Sequence, residues 1–424
     1  MKAELFEENL ETNNFTKISD IIKQKDKFLV NELFIRFILV FVSTQFINLL
    51  VYNYTRSFMY VSLVALFQVI LSFLLSSVSY THDLKRSTIF LSLILLAVLL
   101  FAFGYFYVLQ RDILLIFAAL IPGMFSFVVF SLNRFKNNFL FHEQSSFVLR
   151  SINQIGVLLT SFLMVFFALL LDILPTKQSL TATFDLIRIL AVNDFYFIYV
   201  IAGAAVIIYA LFFFFNSKEV YEKTGKLEIG SFRKDPLILT FSLFTSIVNV
   251  ALIFIGPYLY EGLNYLKYRF TAVTIILSLS MISSVISPRI VYNNLKRYGD
   301  FFVGIVGIVL FLTLPITMIF FNNNLLYLIF GIYLGTLGSS MAAYSLEYLL
   351  AGKYRGEDFV RAKFSLKTMT AIFTSLILLF ASFGLIGLPL GIIYKLLFVF
   401  AILSFVLYII YYTFIFKNRT ELIL

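Results

Sequence analysis

The sequence predicts an all-α integral membrane protein of twelve transmembrane helices arranged as two six-helix pseudo-symmetric halves. Three observations carry that expectation. The first is composition: of 424 residues, 61% are hydrophobic and 13% charged, where soluble domains run at roughly 45–50% and about 25%. The second is the alternation of basic residues from one loop to the next. The third is a basic stretch near mid-chain, NSKEVYEKTGKLEIGSFRKDP over 216–236, that separates six apolar runs from six more.

Each span is an apolar run of about 20 residues bounded by charge or by Asn, Gly and Pro. In order they cover 31–54, 57–80, 88–108, 113–133, 152–171, 194–215, 237–260, 271–292, 301–321, 325–350, 368–386 and 390–416. Spans nine and ten are parted only by Asn322, Asn323 and Asn324, and the last two by Gly387 to Pro389. The organisation is therefore a cytoplasmic segment 1–30, a six-helix half 31–215, a cytoplasmic loop 216–236, a second half 237–416 and a tail 417–424.

Orientation follows from the rule that basic loops stay cytoplasmic. Of the 33 Lys and Arg, 25 fall in segments that an inside N-terminus makes cytoplasmic. Only Arg56, Arg111, Lys177, Arg188, Lys267 and Arg269 fall outside, while Arg36 and Lys395 lie within spans. One missed helix would invert every later loop, so the asymmetry fixes a multi-pass protein of the cell membrane with both termini cytoplasmic. The net charge of +10 is then spread over cytoplasmic segments that face anionic lipid headgroups. Nucleic acid is not an expected partner.

The first 30 residues lack the apolar core of a signal peptide. Phe6, Leu10, Phe15, Ile18, Ile21, Ile22 and Phe28 recur at near-helical spacing, which fits an amphipathic helix on the inner membrane face or a partly disordered leader. Trp is absent, so Tyr must supply the interfacial belts, and Tyr52, Tyr54, Tyr80, Tyr258, Tyr260, Tyr292 and Tyr344 cluster near span ends.

Several chemistries are excluded. There is no Cys, and the two His, His82 and His142, stand in separate loops without an acidic cluster, so neither a metal site nor a cofactor nor an enzyme is expected. No G-x-x-x-x-G-K-[ST] loop occurs, which removes a nucleotide-driven pump within the chain.

The halves carry weak echoes of one another. Gln45 in span one falls at Asn249 in span seven, an offset of 204, and the loop Ser79 to Arg86 maps onto Ser284 to Arg289 at 205. The stretches after spans four and ten both place Phe-Val before an Arg (Arg150, Arg361) and then a hydroxyl pair, Thr160-Ser161 and Thr374-Ser375.

With these features the sequence resembles the major facilitator superfamily over essentially its whole length. The family signature G-x-x-x-D-R-x-G-R is partly present: Asp83 holds the acidic position, with Ser79, Leu84, Arg86 and Ser87 replacing the first Gly, the Arg, the second Gly and the last Arg. In the second half Arg289 stands at the Arg position, with Pro288 and Ser284 in place of Asp and Gly. The short loops, with Arg150 and Arg361 heading spans five and eleven, look most like the drug and macrolide efflux branch. Its Gly-Pro-rich span-five motif is reduced here to Gly156 without Pro. The resemblance implies a cavity between the halves, spans 1, 4, 7 and 10 as moving gates, and spans 2, 5, 8 and 11 along the interface. It also implies that Asp83, Arg289, Arg150 and Arg361 hold the cytoplasmic gate.

Polar groups at mid-span must face a wet cavity or another helix. Gln45, Asn48, Gln68, Gln154 and Asn249 are accordingly the expected cavity lining, and interhelical hydrogen bonds are their alternative use. Acids are scarce in the spans, and Glu347, toward the cytoplasmic end of span ten, is the candidate for coupling to a proton or cation. Gly331, Gly335 and Gly338 in span ten, and the serines of span eight, read as close helix packing.

The expected function is a monomeric secondary active transporter that exports a small amphipathic or hydrophobic molecule by alternating access. A lipid-linked oligosaccharide flippase of the multidrug and polysaccharide exporter type is the alternative.

Overall fold

An apolar segment in a bilayer has no water to satisfy its amides and carbonyls, so it closes them on itself as a helix. Accordingly, every secondary-structure element that the computed structural model places among its described residues is helical. The structure describes residues 42–81, 85–109, 111–140, 157–166, 194–216, 235–320, 324–353 and 357–384, with scattered positions within 34–39, 168–172 and 394–410.

In chain order the helices are α1 (Thr44–Thr55), α2 (Phe58–Thr81), α3 (Arg86–Val108), α4 (Leu114–Leu140), α5 (Val157–Phe166) and α6 (Asp194–Asn216). They continue as α7 (Pro236–Gly262), α8 (Arg269–Phe311), α9 (Thr313–Ile319), α10 (Leu325–Lys353), α11 (Glu357–Gly384) and α12 (Tyr394–Ile410). Among the described residues seven helices are long and apolar enough to cross a membrane, namely α2, α3, α6, α7, α10, α11 and the stretch Phe302–Ile319. Every one of the twelve apolar runs in the sequence contains helix.

Local chemistry sets the ends. Asp235 accepts from the Leu237 amide at 3.0 Å and Pro236 occupies the first helical position, so α7 starts where its sequence dictates. Arg56 closes α1 in a left-handed conformation, φ 52°. α8 runs through the expected loop after span eight and breaks only at Gly299, whose φ of 81° ends one limb and starts the next.

One boundary differs from the sequence reading in a way that matters. α11 begins at Glu357, not near residue 368. Charges end a span by hydropathy, but Arg361, Lys363 and Lys367 sit on continuous helix.

Small residues decide the closest contact. α8 and α10 pack along their length, and a Cβ added at Gly307 would stand 2.5 Å from the Ala342 amide, while one at Gly335 would stand 2.5 Å from Leu314 Cβ. Gly338 meets the Phe311 backbone in the same way. The glycine spacing in span ten is thus a packing surface, as small-residue stripes are in membranes.

Contacts link α1–α4 and α6 as one set and α7–α11 as another, with α2 against α11 and α1 against α7 joining them. Ser62 on α2 donates to the Leu378 carbonyl on α11 at 2.8 Å, and Ser382 donates to Ser62 at 2.9 Å. Ser278 on α8 donates to the Ser161 carbonyl on α5 at 3.2 Å. Asp172, just past α5, takes the Phe270 and Thr271 amides at 3.2 and 2.7 Å and so caps α8.

The α8–α10 contact yields a stability test. Gly338→Val is expected to cost about 1–3 kcal/mol by overpacking, lowering the unfolding temperature in detergent. Gly299→Ala meets no neighbour, but at φ 81° and ψ 167° only glycine is at ease, so its cost of about 1–3 kcal/mol should come from backbone strain instead.

Candidate functional site

A cavity of about 550 Å³ lies where the two sets of helices meet. α2 contributes Gln68, Val69, Ser72 and Phe73, and α4 contributes Ser126. From the other set come Phe241, Thr245, Asn249 and Ile253 of α7, Ala343 and Leu350 of α10, and Lys363, Leu366, Lys367, Thr370, Ala371 and Thr374 of α11. The volume is that of a drug-sized ligand site.

The walls are mostly apolar with a few unspent polar atoms. Gln68 Nε2 donates to the Ala118 carbonyl on α4 at 3.0 Å, but its buried Oε1 has no hydrogen-bond partner. Thr374 Oγ1 is likewise buried and partnerless, and Asn249 is half-buried beside it on the wall. Lys363 and Lys367 stand one turn apart on α11, and the Lys367 Nζ is buried. Among the described lining residues there is no acid.

The cavity has direction. Its lining reaches Phe241 near the start of α7, Leu350 near the end of α10 and Lys363 near the start of α11. That is the face on which Lys353 Nζ meets Asp235 Oδ2 at 2.7 Å. Toward the opposite face the lining stops at Ile253, and beyond it α1 closes on α7. A Cβ on Gly256 would lie only 3.6 Å from the Gln45 carbonyl and 3.8 Å from Leu49 Cβ. A polar cluster completes the closure: Tyr52 Oη donates to Glu261 Oε2 at 2.7 Å, Tyr260 Oη to Asn53 Oδ1 at 2.9 Å, and Asn53 Nδ2 to Tyr107 Oη at 2.9 Å. The Arg56 and Arg269 guanidinium groups sit 5.4 and 4.7 Å from the Tyr260 ring centre, within cation–π range.

The expected lining residues divide. Gln68 and Asn249 are on the cavity wall. Gln45 and Asn48 are not among the lining residues; they lie on α1 at its contact with α7, with Gln45 Oε1 and both polar atoms of the Asn48 amide buried and partnerless. Asn48 is fully buried, a placement that costs about 1–3 kcal/mol per unsatisfied group. Gln154, Asp83 and Arg150 lie outside the described residues. Arg289 is on α8, and Arg361 is exposed on α11, where its carbonyl accepts from Ser365. Glu347 occupies α10 between Ala343 and Leu350, the two positions of that helix on the cavity wall.

The sequence reading missed two features. It put Lys363 and Lys367 in a loop, although their four-residue spacing was a helical signal. It also gave Tyr52 and Tyr260 to the membrane interface, whereas they are only 3% and 6% exposed and tie helices together.

If the cluster holds this end shut, Tyr260→Phe with Glu261→Gln should loosen it. The native chain has no Cys, so a maleimide can report on Gln45→Cys alone. Glu261→Gln keeps an acceptor for Tyr52, so the one interhelical bond that is lost, Tyr260 to Asn53, at about 0.6 kcal/mol predicts labelling about two- to threefold faster; an unchanged rate means that the cluster does not gate.

No protein-family model matches the chain, and no curated protein matches it in sequence. Solved structures do match. A bacterial homologue of the iron transporter ferroportin in its inward-facing state is 15% identical with a TM-score of 0.68, covering 92% of this chain and 98% of that one. The inward-open xylose transporter XylE from E. coli is 11% identical with a TM-score of 0.62, covering 90% and 95%. A bacterial ferroportin homologue in an outward-facing state reaches 0.54 at 14% identity, covering 92% and 99%.

Proposed function

Starting from a fold that is that of the major facilitator type of transporter, we propose that this protein is a secondary active transporter moving a small amphipathic molecule across the cell membrane by alternating access. The reading takes the chain as twelve spans in two six-helix halves, with both termini cytoplasmic and the Asp235–Lys353 face inside. One observation carries it: a drug-sized cavity between the two helix sets, extending toward one face and sealed from the other by the α1–α7 cluster. The higher TM-score to the inward-facing than to the outward-facing ferroportin homologue supports an inward-facing state. The pairing of α2 with α11 and of α5 with α8 supports pseudo-symmetric halves, since the two contacts exchange equivalent helices.

The substrate class follows from the walls. Phe73, Phe241, Ile253 and Leu366 offer apolar surface, and Gln68 Oε1, Asn249 and Thr374 Oγ1 offer hydrogen bonds. Export is the direction this reading favours, from the apolar lining and the resemblance to the efflux branch. Glu347 is the coupling acid in this reading, because α10 carries it in sequence between Ala343 and Leu350 and acids within membrane helices mark proton and ion paths.

Reconstituted in vesicles, the protein should move an amphipathic fluorescent compound, and Asn249→Leu with Thr374→Val should slow it about tenfold, at about 0.7 kcal/mol per lost hydrogen bond. Equal rates for the variant and the native protein would remove these residues from the site. Glu347→Gln should abolish the acceleration that an imposed pH gradient gives while sparing exchange at equal pH. A gradient response that survives the change would assign coupling elsewhere.

A further inference from the structure

Two lysines on an otherwise apolar and neutral wall have no use in carrying a purely hydrophobic molecule. Lys363 and Lys367 lie four residues apart, hence on one side of α11, and both line the cavity. By length and composition α11 can cross a bilayer over Arg361–Phe383, and Lys367 lies six residues, about 9 Å, past the start of that stretch. A cation within an apolar membrane-length helix is a functional-site hypothesis by default. Its Nζ is buried, so the charge is held within the protein and not extended to the headgroups. Across the cavity stand the neutral polar groups of Gln68, Ser72 and Asn249, and the described lining contains no acid.

We propose that the site is selective for amphipathic organic anions. The anionic headgroup, a carboxylate, sulfonate or phosphate, sits on the Lys363–Lys367 pair, and the apolar body lies against Phe73, Phe241 and Ile253. This rests on the transport reading above for its occupant and narrows that occupant by charge. Ammonium groups suit the task because each offers three donors and a point charge to a headgroup of any shape. The placement also gives order to binding: Lys363, exposed near the open face, meets the anion first, and Lys367 holds it deeper.

Matched probes test this with the full chain in phosphatidylcholine nanodiscs. Anilinonaphthalene sulfonate and neutral phenylnaphthylamine share an aromatic body and differ in the anionic group. The sulfonate should bind at least tenfold more tightly than the amine. Lys363→Gln with Lys367→Gln should erase that preference by weakening the sulfonate alone, and the doubly Arg-substituted variant should restore it and so report that the fold is intact. Equal affinity for both probes in the native protein, or a preference that survives the Gln pair, overturns the inference, as does tighter binding of tetraphenylphosphonium. An anionic phospholipid shares the same chemistry, and discs containing phosphatidylglycerol separate the sources: a lipid occupant displaces the sulfonate there, a free anion competes with it equally in both discs. Flux in vesicles separates this inference from the transport reading. Selective binding without movement of any probe would sink the transporter and leave the anion site, whereas movement of the amine in preference to the sulfonate would do the reverse.

Discussion

Tyr52 of α1 donates to Glu261 of α7, and Tyr260 of α7 donates back to Asn53 of α1. These two crossed bonds close one end of the space between the helix sets, and the cavity exists as a cavity because of them. Arg56 and Arg269 place their guanidinium groups over the Tyr260 ring and Tyr107 accepts from Asn53 Nδ2, so the joint ties together α1, α3, α7 and the start of α8. In lipid such bonds are each worth little, about 0.6 kcal/mol. That weakness would suit a joint that opens and closes under the proposed alternating access.

The joint differs in kind from the contacts that hold each set of helices together. α8 and α10 approach until Gly307 meets the Ala342 backbone and Gly338 meets the Phe311 backbone, a contact of backbone on backbone that leaves no slack. The contacts between sets instead use hydroxyl bonds such as Ser62 to Leu378 and Ser278 to Ser161. Hydroxyl bonds also occur within a set, as from Ser283 to Thr336, where they accompany the close backbone packing. Asn48 lies beside the joint, fully buried with both amide atoms partnerless, which costs about 1–3 kcal/mol per unsatisfied group.

Much of this was legible in the sequence because the bilayer imposes simple rules. Apolar length and loop charge fixed where helices would form, and helix is present in all twelve apolar runs. Gln68 and Asn249 were found from polarity at mid-span, and both are on the wall. Gln45 and Asn48 obeyed the same rule through its other branch, facing a helix instead of the cavity, and nothing in spacing separates those branches. Lys363 and Lys367 were misplaced because hydropathy ends a span at the first charges, while a helix with a wet side tolerates them. The tyrosines were misread for a related reason: near a span end, an interfacial ring and an interhelical donor have the same sequence position.

The central claim is that the α1–α7 end and the Asp235–Lys353 end open in alternation. Spin labels at Tyr60 and Tyr265 report the distance across the sealed end, and labels at Lys85 and Tyr348 report it across the open one, in a chain with no native Cys. Pulsed electron resonance before and after adding a transported amphipathic anion should show the first distance population lengthen as the second shortens. Populations that stay fixed, or that lengthen together at both ends, would contradict alternating access.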